Sequence, residues 1–329
     1  MTDRRPVIAV EDMHVWFDLA DGAELHAVQG VTFELRPGER MGLVGESGCG
    51  KTTTILAMMG LLPSSASVSG RVILDGEDIM ERGESSVAPH RWCDISMVFQ
   101  GAMNAFNPVK RIGDQIVEPM EMHGTASGSS ARAQVRDLLE LVGISGDRAS
   151  RYPHEFSGGM RQRAAIALAL ACQPKVLLAD EPTTALDVMV QAQILDLLVR
   201  LTRDLGLSMI LVTHDLPVVA QVCDRAAVMY AGEIVEMGQM SDIYHEPRHP
   251  YTRMLFAATP DLLGDDEVQS IAGVPPRLDR DLIGCPFAPR CDSTFAPCTV
   301  DHPRSLQVET GHTAMCHLND RLVVGAAGA

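Results

Sequence analysis

Short apolar segments alternate with amphipathic ones along the first part of the chain. The segments RMGLV (40–44), KVLLA (175–179) and SMILVT (208–213) each end at polar or glycine-rich residues, which predicts buried strands. A helix closed by Gly206 is predicted between the last two, because apolar residues recur there at helical spacing: Val190, Ile194, Leu197, Leu198, Leu201 and Leu205. This alternation predicts an open parallel α/β sheet with its chemistry at the strand ends.

The pattern changes towards the end of the chain. Segments 71–79 and 227–238 predict β-hairpins, and the polar segment 124–131 predicts a loop. After about residue 245, prolines become frequent and strand signals fade. We therefore expect a first domain over residues 1–245 and a small, irregular C-terminal domain over 246–329 that carries a cysteine cluster.

Composition narrows the class of protein. The formal net charge is −16 and no block of lysines or arginines occurs, which excludes a protein that coats nucleic acid by charge alone. The longest apolar run, 164–172, is far shorter than the roughly 20 residues of a membrane span, and the first residues lack the apolar segment of a signal peptide. We expect a soluble, cytosolic chain whose membrane role depends on a partner.

The segment GESGCGKT (45–52) matches the phosphate-loop pattern, follows a predicted strand and precedes a predicted helix. Its glycines allow backbone N–H groups to surround phosphates, Lys51 supplies a positive charge, and the hydroxyl of Thr52 suits Mg²⁺. The expected ATP-binding residues are those of this segment and the residue that follows it: Gly45, Glu46, Ser47, Gly48, Cys49, Gly50, Lys51, Thr52 and Thr53.

Two further segments fit the same chemistry. In LLADEPTTALD (177–187), Asp180 at a strand end is placed to hold Mg²⁺, and Glu181 is placed to orient the attacking water. In FSGGMRQR (156–163), Ser157 and two glycines open a predicted helix, and such an end binds anions. One nucleotide already has its loop at 45–52, so this second end fits a nucleotide held by another subunit.

These motifs, in this order, resemble the ATP-binding subunits of ABC transporters, which also place a glutamine as in MVFQ (97–100) and a histidine as in LVTHD (211–215). The resemblance implies an α/β fold: an ABC-type P-loop NTPase domain with a RecA-like core, an antiparallel β subdomain and a helical subdomain at about 101–165. It implies ATP and Mg²⁺, with Gln100, Glu181 and His214 as catalytic residues.

The resemblance implies further roles. Phe17 would stack on adenine, with Trp16 as the neighbouring alternative, and Asp187 would lie at a dimer seam. Mg²⁺ would be held by Thr52, Gln100 and Asp180. The residues that act on the partner-bound ATP would be Ser157, Gly158, Gly159 and Met160.

Finer similarity to oligopeptide, dipeptide and nickel importers lies in 152–163, 180–194, RHPYTRML (248–255) and GCPFAPRC (284–291). It implies an ATPase subunit at the cytoplasmic face of the cell membrane that powers peptide uptake. Its partners would be a second ATPase subunit in a heterodimer, two permease subunits and an extracytoplasmic solute-binding protein, without nucleic acid. Nickel or another small solute as cargo, and a non-transport ABC ATPase, are the alternatives. Cys49 stands where this subgroup usually has serine, and its position beside a helix N-terminus makes it a candidate reactive thiol.

Four cysteines cluster near the end of the chain with the spacing C-x5-C-x6-C-x17-C: Cys285, Cys291, Cys298 and Cys316. Structural zinc usually has paired C-x2–4-C ligands, and a reducing compartment disfavours disulfides. Four thiolates suit a [4Fe–4S] cluster, which the importer resemblance also implies. Zinc and free thiols are the alternatives, with His302, His312 and His317 as substitute ligands.

Overall fold

The computed structural model describes residues 5–20, 22–101, 105–184, 186–258, 271–280 and 282–320. These residues fall into two compact units. The first unit combines Met1–Ile8, Leu35–Glu39 and Leu74–Leu211, and the second combines Ala9–Glu34, Arg40–Ile73 and Val212–Ala329. Each unit is therefore assembled from separate parts of the sequence.

The strands are, in chain order, β1 (Ile8–Asp18), β2 (Glu24–Leu35), β3 (Arg40–Val44), β4 (Ala66–Leu74), β5 (Glu77–Asp78), β6 (Ile95–Val98), β7 (Val176–Asp180), β8 (Ser208–Thr213), β9 (Arg225–Tyr230), β10 (Glu233–Gln239), β11 (Ser305–Glu309) and β12 (His312–Met315). The α-helices are α1 (Lys51–Met58), α2 (Glu84–Val87), α3 (Ile112–Met122), α4 (Gly128–Leu141), α5 (Gly158–Ala169), α6 (Val188–Leu205), α7 (Leu216–Val222), α8 (Met240–His245) and α9 (Pro250–Ala257).

The first unit has the strand order β8-β7-β6, with β6 and β7 parallel and Val98 opposite Ala179. Every residue of β6 and β7 is buried, as expected for parallel strands that are covered on both faces. Helix α6 begins at an Asp187 cap and ends where Gly206 adopts the left-handed conformation, with φ of 67°. The carboxyl ends of β6 and β7 therefore lie side by side and open onto loops.

The second unit has the strand order β11-β12-β10-β9-β3, with β3 and β9 parallel and the other neighbours antiparallel. Strands β2, β1 and β4 lie beside one another in that order in a separate sheet. Helix α1 starts directly after the loop that follows β3. Residues 282–320 belong to this unit, and β12 pairs with β10 there.

Most of the predicted elements are confirmed. Strands β3, β7 and β8, helix α6 and the hairpin of β9 and β10 lie where the apolar pattern places them. The loop predicted over 124–131 was wrong in part, because α4 already begins at Gly128. The expectation of an irregular segment after 245 missed β11 and β12, and the domain boundary near 245 stays a prediction. In the described part of the chain, no helix combines the length and apolar character that crossing a bilayer requires.

Candidate functional site

The loop after β3 has a backbone that requires glycine at two positions. Gly45 has a φ of 148°, and a side-chain carbon there would lie 2.2 Å from the carbonyl oxygen of Met229. Gly48 is exposed and has a φ of 81°. The chain then enters α1 at Lys51, so the loop and the amino end of a helix adjoin. This arrangement provides the backbone N–H groups and the helix dipole that bind phosphate.

Lys51 closes the loop with its side chain and is only 6% exposed. Its ammonium group donates to the carbonyl oxygens of Gly45, at 2.7 Å, and Glu46, at 2.9 Å. Thr52 and Thr53 follow in the first turn of α1 and are half-buried. The charge that would meet a phosphate is thus tied to the loop itself.

Cys49 lies inside the same loop and is buried. Its Sγ is 3.7 Å from the Nζ of Lys51. Burial raises the pKa of the Cys49 thiol despite that ammonium group. The raised pKa disfavours the thiolate at neutral pH, and the expected reactivity of Cys49 stays a prediction.

Glu46 is hydrogen-bonded to residues from the C-terminal part of the chain. Its carboxylate accepts two hydrogen bonds from the Arg290 guanidinium, at 2.6 and 2.9 Å. Its backbone N–H donates to the hydroxyl oxygen of Tyr251 at 2.9 Å. The Glu46 carboxylate also raises the pKa of Arg290, so this guanidinium remains charged. The conformation of the loop thus depends on residues some two hundred positions away.

In the other unit, the turn after β7 holds the two predicted carboxylates. Asp180 ends the strand and is 2% exposed, while Glu181 is half-buried. Glu181 has a φ of 43°, in the left-handed region that a glutamate rarely adopts. Such strain is typical of positions where a side chain must point in one required direction.

The Glu181 carboxylate is held by two neighbours in its own unit. Its Oε2 accepts from the Nε2 of Gln100, at 2.8 Å, and from the hydroxyl of Thr184, at 2.9 Å. Gln100 follows β6 and Glu181 follows β7, so both come from adjacent parallel strands. The structure therefore joins two of the residues that the sequence predicted to be catalytic.

The helix that opens at FSGGM is capped as expected. The hydroxyl of exposed Ser157 accepts from the backbone N–H of Met160 at 3.3 Å, and α5 begins at Gly158. Gly159 has a packing reason as well, because a side-chain carbon there would lie 2.8 Å from Cγ1 of Val190 on α6. An exposed, capped helix end is available to an anion from another molecule.

Two further predicted residues lie on exposed turns. Asp187 caps α6 by accepting from the N–H of Val190 at 2.9 Å. His214 follows β8 directly in the chain, just before Asp215 caps α7. The roles proposed for Asp187 at a dimer seam and for His214 at the γ-phosphate stay predictions.

The two aromatic residues considered for adenine differ in their surroundings. Trp16 stacks on His26, with ring centroids 4.7 Å apart, and on His14 at 5.3 Å. Phe17 is the next residue of β1 and is also half-buried. Because the indole is already part of a stack, Phe17 remains the expected adenine partner, and that role stays a prediction.

The four clustered cysteines line one small cavity, together with His249 and Phe287: Cys285, Cys291, Cys298 and Cys316. Burial raises the pKa of the Cys285 thiol, and raises that of Cys316 to about 11. Within the described ranges, no group of three or more His, Cys, Asp or Glu side chains is arranged to hold a metal ion. His312 instead bonds to Glu236 at 2.7 Å, and His302 to Glu233 at 3.0 Å.

Comparison with known proteins agrees with this geometry. The family model described as ABC transporter matches residues 28–184, and that of the oligopeptide/dipeptide transporter C-terminal region matches residues 235–298. The chain is 46% identical over 320 residues to the dipeptide transport ATP-binding protein DppD of Bacillus subtilis, covering 96% of this chain and 95% of that protein. The chain belongs to the ABC transporter family.

This ABC ATPase is also 44% identical over 300 residues to the oligopeptide transport ATP-binding protein OppD of Escherichia coli, covering 90% of this chain and 89% of that protein. Among solved structures, it resembles the dimeric ATP-binding cassette MJ0796 bound to ADP and Pi, with a TM-score of 0.63 and 27% identity over 71% of this chain and 98% of that one. The predicted ABC-type fold is therefore confirmed. The separate cysteine-bearing domain stays a prediction.

Three residues that contact the site of this ABC ATPase had no predicted role: Thr184, Tyr251 and Arg290. Thr184 belongs to the segment that contains Glu181, so its polar side chain was a visible signal. Tyr251 and Arg290 lie in RHPYTRML and GCPFAPRC, which indicated only the similarity to importer subunits and no role for either residue. Nothing in their local pattern connects them to a loop at residue 46.

Proposed function

We propose that this ABC ATPase hydrolyses ATP to power peptide uptake as one subunit of an importer. The observation that carries the proposal is agreement along nearly the whole chain, C-terminal region included, with ATP-binding proteins of dipeptide and oligopeptide transport. Nickel or another small solute remains the alternative cargo.

The reaction places each predicted residue in a role. Lys51 and the loop N–H groups bind the phosphates, with Thr52, Gln100 and Asp180 as ligands for Mg²⁺. The bound ion would neutralise charge on the phosphoryl group that is transferred. Asp180 supports this role because it stands at the carboxyl end of β7, directly before Glu181.

Glu181 orients the attacking water and draws its proton as the water oxygen bonds to the γ-phosphorus. The bond from that phosphorus to the bridging oxygen breaks, which leaves ADP and phosphate. Gln100 and Thr184 support this role by fixing the carboxylate through hydrogen bonds of 2.8 and 2.9 Å. His214 would contact the γ-phosphate.

The capped N-terminus of α5 supports a second ATPase subunit as partner. The chain has two helix N-termini suited to phosphate, and if that of α1 binds its own nucleotide, that of α5 can bind the nucleotide of the partner. Next to Asp187, Val188 is 79% exposed and Met189 is 72% exposed, which supports a protein seam at this turn. Phe99, 44% exposed beside Gln100, supports contact with a permease subunit. We propose a heterodimer with two permease subunits and an extracytoplasmic solute-binding protein, at the cytoplasmic face of the membrane.

Assembly and cargo are tested by reconstitution. The isolated chain is expected to hydrolyse ATP slowly, and addition of the second ATPase and permease subunits to raise the rate. Stimulation by a peptide-loaded binding protein, without stimulation by nickel, supports peptide as cargo, and the reverse pattern assigns nickel. Full activity of the isolated chain, independent of its concentration, contradicts the proposed assembly.

We further propose that the four cysteines hold a [4Fe–4S] cluster. The supporting observation is that all four line one cavity. A single zinc ion needs ligands that converge on one point at about 2.3 Å, whereas a four-iron cluster bonds each thiolate to a different iron. The proposal therefore rests on four thiols that line one small cavity, together with the match of residues 235–298 to the oligopeptide/dipeptide transporter C-terminal region.

The cluster is tested by anaerobic purification followed by absorbance at about 400 nm and by iron and sulfide analysis. Four irons and four sulfides per chain are expected, together with loss of both in Cys298→Ser. Cys223→Ser, at a buried cysteine outside the cavity, is the matched control and should keep its iron. A colourless protein with stoichiometric zinc, or unchanged iron in Cys298→Ser, contradicts the proposal.

A further inference from the structure

The contact between Arg290 and the phosphate loop is unusually well fixed for an ion pair. The Arg290 side chain is 4% exposed and that of Glu46 is 26% exposed. Both guanidinium NH groups bond to the carboxylate, at 2.6 and 2.9 Å, and Nε donates to the carbonyl oxygen of Ala272 at 3.0 Å. A bidentate pair of this kind fixes orientation as well as distance.

The guanidinium of Arg290 also lies against an aromatic cluster. Its central carbon lies 5.8 Å from the ring centroid of Tyr230 and 6.0 Å from that of Phe287. Tyr230, Tyr251 and Phe287 pack against one another with centroids 4.6 to 5.3 Å apart. Each of these three rings is at most 1% exposed. The arginine therefore lies against a buried aromatic cluster that Tyr230 of β9 forms with Tyr251 and Phe287.

Glu46 connects Arg290 and this aromatic cluster to the phosphate-binding side of the loop. Its carboxylate accepts from the Arg290 guanidinium, and its backbone N–H donates to the hydroxyl oxygen of Tyr251. Its carbonyl oxygen accepts from the ammonium group of Lys51 at 2.9 Å. Movement of Glu46 would therefore displace both the loop backbone and the lysine that meets the phosphates. Binding of a ligand in a loop costs less when the loop is already ordered.

We propose that Arg290 is a positioning residue for ATP: it holds the phosphate loop through Glu46, so that the C-terminal segment sets the affinity for nucleotide. This inference rests on the proposed binding of ATP at the loop. It assigns a role in the ATPase reaction to a segment that the phosphate motifs do not include.

The test is the affinity for Mg-ATP of the full-length chain, measured by titration calorimetry well below each variant's thermal midpoint. Arg290→Gln and Glu46→Gln are each expected to weaken Mg-ATP binding about tenfold. The double variant should lose no more affinity than the single variant with the larger loss, because both substitutions remove the same interaction. Arg290→Lys keeps the charge without the paired geometry and should fall between. Glu46→Gln decides the question if the arginine variant does not fold.

Two controls separate the possible outcomes. Arg253→Gln removes another ion pair of the same segment, with Asp292 at 2.8 Å, and should leave ATP affinity unchanged. Lys51→Ala should weaken Mg-ATP binding about 10- to 100-fold; unchanged affinity in that variant would mean that the ATP site itself is misassigned. Native affinity in Glu46→Gln, additive losses in the double variant, or an equal loss in Arg253→Gln would overturn the positioning role.

Discussion

The phosphate loop and the Glu181 turn solve a similar problem in opposite ways. Both follow a buried strand, and both leave regular backbone geometry. The loop uses glycines, with φ of 148° at Gly45 and 81° at Gly48, whereas the turn places a glutamate at φ of 43°. Where the backbone itself binds the ligand, glycine removes the strain. Where a side chain must act, the backbone strain remains, and hydrogen bonds hold that side chain in place.

The largest expected effect comes from the side chain of the strained turn. Glu181→Gln keeps the shape and the acceptor for Gln100 but removes the negative charge. We expect turnover to fall about 10²- to 10⁴-fold with Mg-ATP affinity nearly unchanged, because the carboxylate acts mainly in the transition state. Steady-state ATPase assays of the assembled complex, with calorimetry on the same protein, measure both quantities. Near-normal turnover would remove Glu181 from catalysis.

The loop should respond in the opposite manner. Lys51→Ala removes a charged donor that meets the ligand before the chemical step, so nucleotide affinity should fall about 10- to 100-fold. A fluorescent ATP analogue titrated into the full chain provides the measurement. An unchanged dissociation constant together with a large loss of turnover would show that the comparison between loop and turn is wrong.

Two glycines of the loop should differ from each other in folding stability. At Gly45 an added carbon would lie 2.2 Å from the Met229 carbonyl oxygen, whereas at Gly48 nothing lies within 4 Å. Gly45→Ala should therefore cost about 3 kcal/mol through steric overlap, and Gly48→Ala about 1 kcal/mol through its backbone angle alone. Chemical denaturation of both variants tests the order, and equal losses would contradict it.

The smallest effect tests the strain at the turn. Glu181→Gly and Glu181→Ala both remove the carboxylate, so they form a matched pair that differs mainly in tolerance of a positive φ. We expect the glycine variant to be more stable by about 1 kcal/mol, although both are inactive. The alanine variant proving equally stable would show that the left-handed backbone carries no strain.

The sequence predicted the local parts of this molecule better than the contacts between distant ones. Strand β7, the end of α6 at Gly206 and the position of Asp180 and Glu181 after a strand follow from apolar pattern and motif spacing within a few residues. The bond from Arg290 to Glu46 spans 244 positions, and no periodicity in either segment indicates it. Long-range pairs of this kind are set by the fold, which packs the C-terminal segment beside the loop.

Two local errors have equally specific causes. Helix α4 begins among glycine and serine residues that were taken to indicate a loop, because its amphipathic face from Ala131 to Leu139 outweighs the weak helix propensity of its first turn. Strands β11 and β12 are five and four residues long. They pair with each other, and β12 also pairs with β10, so tertiary pairing stabilises strands that a short pattern could not reveal. Gly311, with φ of 77° between the two strands, was the available turn signal.

The hairpin of β11 and β12 also bears on the solubility of the protein. By pairing with Glu236 and Met237, β12 covers an edge of β10 whose N–H and C=O groups would otherwise be open to another chain. The outer strand β11 is short, alternates exposed and half-buried residues, and carries Glu309, which pairs with Arg248. Such an outer strand discourages pairing between copies. In chains truncated before residue 305, the edge of β10 would be exposed to pairing with other chains, and we expect such chains to aggregate.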